Sequence, residues 1–176
     1  GTPQNNVVYL NLTNGTNSSA GQWNSTAPTS SVFSVSGSPT SGYDDVNLNG
    51  DNYVAYLWSE VAGFSKFGSY SGNSSTDGTF VFCGFRPKYV LIKGTGSGGS
   101  GWIVLDSARD TYNAATKDLR PDLSNGEPVS SGAVDFLSNG FKLRNTDTNY
   151  NSSSGSYGPY VFAAFSESPF KYSLAR

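Results

Sequence analysis

Apolar and polar residues alternate along much of this chain, in short runs closed by turn residues. Val7–Leu12, VVYLNL, predicts a strand, and the turn pair Asn14-Gly15 follows it. Ser30–Gly37, SSVFSVSG, sets β-branched and aromatic side chains at alternate positions and predicts another. In NYVAYLWSEV, Asn52–Val61, the residues Tyr53, Ala55 and Leu57 face one way and Val54, Tyr56 and Trp58 the other. Both faces are apolar, the mark of a central strand covered on each side. FSKFGSY follows, then a polar loop, then the β-rich runs TFVFCGF and KYVLIK on either side of Arg86-Pro87. GTGSGGSG, residues 94–101, predicts a flexible loop, and WIVLD, Trp102–Asp106, a strand. Residues 107–132 read as irregular, with ARDTYNAATK the one place for a helical turn. Val134–Arg144 predicts a hairpin turning at Asn139-Gly140, and YVFAAFSE a last strand before the tail PFKYSLAR.

The pattern repeats itself. NYVAYLWSEV is echoed 107 positions later by PYVFAAFSES, with Tyr53 matching Tyr160, Val54 Val161, Ser59 Ser166 and Glu60 Glu167. Phe33 and Phe141 lie 108 apart, and Phe64 and Phe170 lie 106 apart, so order is kept while the offset drifts by single residues. That drift is expected of a duplicated unit with small loop insertions. The duplication assigns residues 1–66 to the C-terminal half of an upstream repeat unit and 67–176 to a complete second unit. The two are expected to be able to pack as one β domain. The start GTPQNN and the lack of any Met suggest a processed product or a piece of a longer protein, with Arg176 as its true C-terminus.

Composition narrows the class. Apolar residues make up only 36% of the 176, but 11 Tyr, 11 Phe and 3 Trp supply burial that a disordered chain would lack. Gly, Ser, Thr and Asn suit many turns, and strong helix formers are scarce. The fold expected is all-β, an antiparallel β-sandwich of jelly-roll or concanavalin-like kind, built from one and a half duplicated units. A net charge of −2 offers no phosphate-binding surface, and no apolar run reaches the length of a membrane helix. Neither nucleic acid nor membrane insertion is therefore expected. The one cysteine, Cys83, has no partner for an internal disulfide.

Candidate chemistry is thin. Without His, neither Ser-His nor Cys-His nucleophilic catalysis can be built from this chain, nor a Cys/His zinc site. Glu60 and Glu167 could be imagined as a glycosidase pair, but equivalent positions in two repeats place them both at a solvated sheet rim without catalysis. Asp44, Asp45 and Asp147 lie in loops and could offer oxygen to calcium, yet no calcium-loop spacing surrounds them. The glycine stretch lacks the Gly-Lys-Ser/Thr ending of a phosphate loop. Trp23, Tyr43, Tyr112, Tyr150 and Tyr157 could stack on sugars or on a protein, whereas Trp102 reads as core. Sequons stand at Asn11, Asn14, Asn17, Asn24, Asn73 and Asn151. No catalytic, metal or cofactor residue is assigned, and the ligand-binding residues are unknown.

Several phrases taken in order, QWNSTAPTSSVFSV, YVAYLWSEVAGFSKFGSYSGN, GFRPKYVLIK, WIVLDSARDTYN, DFLSNGFKLR and PYVFAAFSESPFKY, span almost the whole chain. Together they resemble a repeated domain of large virion proteins of tailed bacteriophages, known as tail fibre, minor tail or structural proteins. The resemblance implies a β-rich, extracellular, multimer-forming module located on the virion, and it carries over no catalytic residue. The glycine loop at 94–101 is less charged than the family pattern. The function expected is a non-enzymatic structural module of a virion appendage, with a part in host attachment. Its partners would be other copies of itself, neighbouring virion proteins, and a host surface glycan or protein. Two other readings stand beside it: a glycan-degrading tail enzyme, and a secreted adhesive or filament-forming glycoprotein.

Overall fold

The structure, a computed structural model, describes residues 5–18, 22–36, 46–127 and 129–167. They fall into two compact units, one drawn from Gly1–Val8 and Thr16–Trp58, the other from Tyr9–Gly15 and Ser59–Arg176. All the named strands belong to the second unit: β1 Ser65–Tyr70, β2 Phe80–Phe82, β3 Tyr89–Gly94, β4 Trp102–Asp106, β5 Ala115–Lys117, β6 Val129–Leu137, β7 Gly140–Leu143 and β8 Tyr160–Phe165.

These strands form two antiparallel four-stranded sheets, ordered β1-β8-β3-β4 and β2-β7-β6-β5. The fold is an all-β sandwich. Strict alternation explains why: Val90 and Ile92 of β3, Ile103 and Leu105 of β4, and Tyr160, Phe162 and Ala164 of β8 all turn inward and are buried. They meet Val134, Phe136, Phe141 and Leu143 of the opposite sheet in one continuous core. Phe141 ties the layers together. Its ring meets Tyr70 edge-on at 6.1 Å and Phe162 edge-on at 5.6 Å. Each such contact adds about 0.5–1.5 kcal/mol beyond burial of area.

One flank of the sandwich is latched. Val104 of β4 and Leu119 exchange both backbone hydrogen bonds, at 2.9 and 3.0 Å, just past the end of β5. The strand partner of β5 slips from Val134 opposite Ala115 to Val129 opposite Lys117. Gly132, at φ +69°, takes up the left-handed turn of that bulge.

The hairpin predicted at Asn139-Gly140 is β6–β7, and the strands expected at 88–93, 102–106 and 160–165 are all present. Four expectations are corrected. Residues 107–132 are not irregular throughout: the turn expected in ARDTYNAATK is present, closed by the Asp110 N–H on the Asp106 carbonyl, but Ala115–Lys117 forms β5, because it finds β6 as a neighbour. The runs at 7–12, at 30–36 and at 52–61 are not strands. Val7 has a single bridge to Asn17, and Val61 one to Ser65. Alternation gives a run the capacity to pair, but a strand forms only where a second backbone offers its donors and acceptors. Among the described residues of the first unit, Val7 exchanges both backbone hydrogen bonds with Asn17 and the Ser36 N–H reaches the Gln22 carbonyl, but neither contact is extended into a strand.

The glycine stretch is also corrected, from flexible loop to packed hairpin end. Gly98 N–H donates to the Ser156 carbonyl at 2.6 Å, Gly96 N–H to Tyr157 at 3.0 Å and Thr95 N–H to Pro159 at 2.9 Å. A Cβ on Gly96 would overlap the Ser156 carbonyl oxygen, so glycine permits the approach.

Candidate interaction surface

The segment Tyr53–Trp58 is where this chain departs most from ordinary burial. Val54 is 79% exposed, Tyr56 75%, Leu57 72% and Trp58 68%. Tyr56 and Trp58, two residues apart, stack at 6.4 Å with 26° between their rings, as side chains on one face of an extended backbone do. Tyr53 is tied to its own loop, its hydroxyl accepting the Leu48 N–H at 2.9 Å. Contiguous apolar exposure of this kind is uncommon on a soluble fold, which makes the segment a candidate contact surface.

Its echo is in the opposite state. Tyr160 and Ala164 are fully buried and Phe162 is 7% exposed, because β8 lies between β1 and β3 and bonds to both. Tyr160 pairs with Tyr70 and Gly94, Phe162 with Gly68 and Ile92, Ala164 with Lys66 and Val90. The Tyr160 hydroxyl also holds its preceding loop, accepting the Ser152 N–H at 2.9 Å and donating to the Thr148 carbonyl at 2.6 Å.

On the sandwich itself, the flank opposite the latch is open. Between β1 and β2 lies a cleft of about 320 Å³, walled by Tyr70, Val81 and Phe162, with Lys66, Phe80 and Phe82 at its sides. Phe80 and Phe82 are exposed, and the cleft, of mixed polar and apolar lining, is at the small end of the range of ligand pockets. A second hollow of about 430 Å³ is polar, lined by Arg86, Lys88, Ser107, Thr111 and Glu167.

The candidate residues from sequence scatter. Glu60 pairs with Lys66 at 2.9 Å and accepts the Phe67 N–H, and these two bonds hold its carboxyl below the usual range. Glu167 pairs with Lys88 at 3.2 Å. Each carboxylate is thus neutralised by its own lysine. Asp147 accepts from the Asn149 N–H at 2.8 Å and from the Asn149 side chain at 2.7 Å, a turn aspartate. Asp44, Asp45 and Tyr43 lie outside the described residues, as does the tail with Phe170 and Arg176. Among the described residues no group of three or more acidic or thiol side chains is placed to hold a metal. Among them, too, no helix is long and apolar enough to cross a membrane.

Of the candidate stacking residues, Tyr112 is exposed and Trp23 is half-buried, its indole N–H donating to the Asn6 carbonyl at 3.2 Å. Tyr150 is fully buried, which removes it from any sugar platform; its hydroxyl accepts from Asn145 at 2.9 Å. Tyr157 packs on the core. Trp102 is core, as expected, with its indole N–H on the Tyr9 carbonyl at 2.7 Å. Lys93 lies beneath it, 5.8 Å from the ring, fully buried and donating to the carbonyls of Leu12 and Ser100. Burial lowers its pKa, and nearby Asp122 offsets part of that.

Asn151 is closed to glycosylation in the folded chain. It is fully buried, and its amide donates to the carbonyls of Ser75 and Asn145 at 2.8 and 2.6 Å. Its side-chain oxygen accepts the Asn73 N–H at 3.0 Å. Asn11, Asn14, Asn17, Asn24 and Asn73 are exposed. The sequence singled out Tyr53–Trp58 for its echo but read it as a covered central strand, whereas the structure leaves it exposed.

The packed antiparallel sandwich of the second unit defines an all-β protein. The chain belongs to the DUF7483 family, a domain of unknown function, whose model matches residues 2–169. No curated protein and no solved structure matches it.

Proposed function

We propose that this chain is a structural module of a tailed-phage virion appendage, a tail fibre or related tail protein, which works by assembly and contributes to attachment at the host surface. The resemblance of its ordered phrases to repeated domains of phage virion proteins supports the setting. The observation that carries the assembly role is the exposure of Tyr53–Trp58, six apolar-rich residues with the pattern of a sheet centre, of which Val54–Trp58 has no strand beside it among the described residues. An apolar, strand-patterned segment held in water is a cost to an isolated molecule and an asset to a multimer, where main-chain pairing gives affinity and alternate side chains give selectivity.

Electron microscopy of the parent particle, with antibody against this chain as the label, tests the setting. Label along an external appendage is the expected result. Label inside the capsid, at the neck, or on no particle overturns it.

A further inference from the structure

We propose that Tyr53–Trp58 is a strand of the β8 type whose pairing partners are β1- and β3-type strands in the first half of another unit of this fold. The inference rests on the assembly reading in taking this segment as a contact surface, and virion location does not enter it.

The kinship with β8 identifies the partner. Tyr53 stands where Tyr160 does, Val54 where Val161 does, and Ser59-Glu60 where Ser166-Glu167 do. The second occurrence shows what such a sequence pairs with: β1 on one side and β3 on the other, antiparallel to both. The anchor at the head of the strand recurs as well. Both leading tyrosines accept a backbone N–H from the loop before them, Leu48 for Tyr53 and Ser152 for Tyr160. The segment thus reproduces the loop-to-strand junction of β8, and among the described residues Val54–Trp58 has no strand beside it.

The inward faces are complementary variants of one design. Where β8 turns Phe162 and then Ala164 inward, the first segment carries Ala55 and then Leu57. Large and small trade places at adjacent inward positions, so the slot keeps its total volume and changes its contour. In β8 the large residue lies over Gly68, whose missing Cβ makes room for the Phe162 ring. Covering the exposed parts of Tyr53, Val54, Tyr56, Leu57 and Trp58 would remove on the order of 600 Å² from water, near the roughly 800 Å² a side of a standard interface.

The chain's own sandwich cannot serve, because β8 already fills the position between β1 and β3. A second copy folded in the same way has the same position filled. What fits is a β1–β4 half without a β8 of its own.

Hydrogen exchange on two proteins tests this: the chain as it is, and the chain with a second copy of residues 59–111 placed directly ahead of Gly1. In the chain alone, the amides of 53–58 are expected to exchange as fast as exposed loop. In the extended chain they are expected to slow by roughly 100-fold or more, together with those of the added β3 copy. Leu57→Lys in the extended chain should abolish that protection and leave β8 protected. If 53–58 stay unprotected in the extended chain, whether or not the added half is ordered, the proposal fails. It fails also if the unextended chain protects 53–58 while sedimenting as an oligomer, since the partner is then a second copy. Neither failure bears on where the protein sits in a particle, which the micrograph decides.

Discussion

The rings of Tyr70 and Tyr160 lie stacked, their centroids 5.2 Å apart and their planes 17° from parallel. They are cross-strand partners at the end of β1 and the start of β8, and each hydroxyl is spent on a loop. Tyr70 donates to the Tyr150 carbonyl at 2.7 Å; Tyr160 serves Ser152 and Thr148. The pair therefore clamps the 148–152 loop onto the sandwich. Tyr160→Phe keeps the ring and strands one N–H and one carbonyl, each costing about 1–3 kcal/mol if buried and unpaired. Urea denaturation should show a loss of that order, with the slope unchanged.

The same clamp sets a behaviour in alkali. Burial, with the neighbouring Tyr160 and Tyr150 adding to it, holds the Tyr70 phenol well above its ordinary value; burial also raises Tyr160, against the bond from Ser152. The folded pKa values lie above those of the unfolded chain. Their contribution to stability is therefore complete below about pH 10 and is lost as pH rises through the folded values. Tyrosinate absorbance should show these two phenols ionising together with unfolding. Free titration of all 11 tyrosines in the native state would contradict the burial.

The two halves of the echo should respond oppositely to truncation. Phe162→Ala removes a ring from the core and should cost about 3–5 kcal/mol. Trp58→Ala touches an exposed residue and should shift stability by no more than about 0.5 kcal/mol in the chain alone. Paired melts of the two variants check this, and a large loss for Trp58→Ala would mean that the segment is packed.

Asn151 is predicted to stay unmodified in any glycosylating host, although its sequon is complete. Its amide nitrogen is already committed to the Ser75 and Asn145 carbonyls. Glycopeptide mass spectrometry should find any occupancy on Asn11, Asn14, Asn17, Asn24 or Asn73. Asn151→Ala should destabilise by about 1–3 kcal/mol for each partner left buried and unpaired.

Cys83 is buried, which pushes its thiol up to about 11. The thiolate is the reactive form. The native protein should therefore resist thiol reagents at neutral pH and react at once when denatured. Fast native labelling would show that the β2 region opens.

Much of the second unit was legible in the sequence. Asn139-Gly140 dictates the β6–β7 turn, and alternation in KYVLIK, WIVLD and YVFAAF dictates which side chains enter the core. The same rules misread Ala115–Lys117, which is too short to show a period and is a strand because β6 lies beside it. They misread the glycine stretch, because composition records freedom and not the carbonyls of residues 156–159 that consume it. They also misplaced Tyr150 and Asn151, whose polar tips look like surface until a buried partner is found for each.

The sequence by itself determined that this is an all-β protein, where its second unit turns, and that Tyr53–Trp58 and Tyr160–Phe165 are versions of one phrase. Only the tertiary structure decided that one of them is a strand and the other is not. Side-chain pattern is local and travels with the residues. A strand's hydrogen bonds belong to two backbones at once, and β8 has β1 and β3 on either side of it, where among the described residues Val54–Trp58 has no strand beside it.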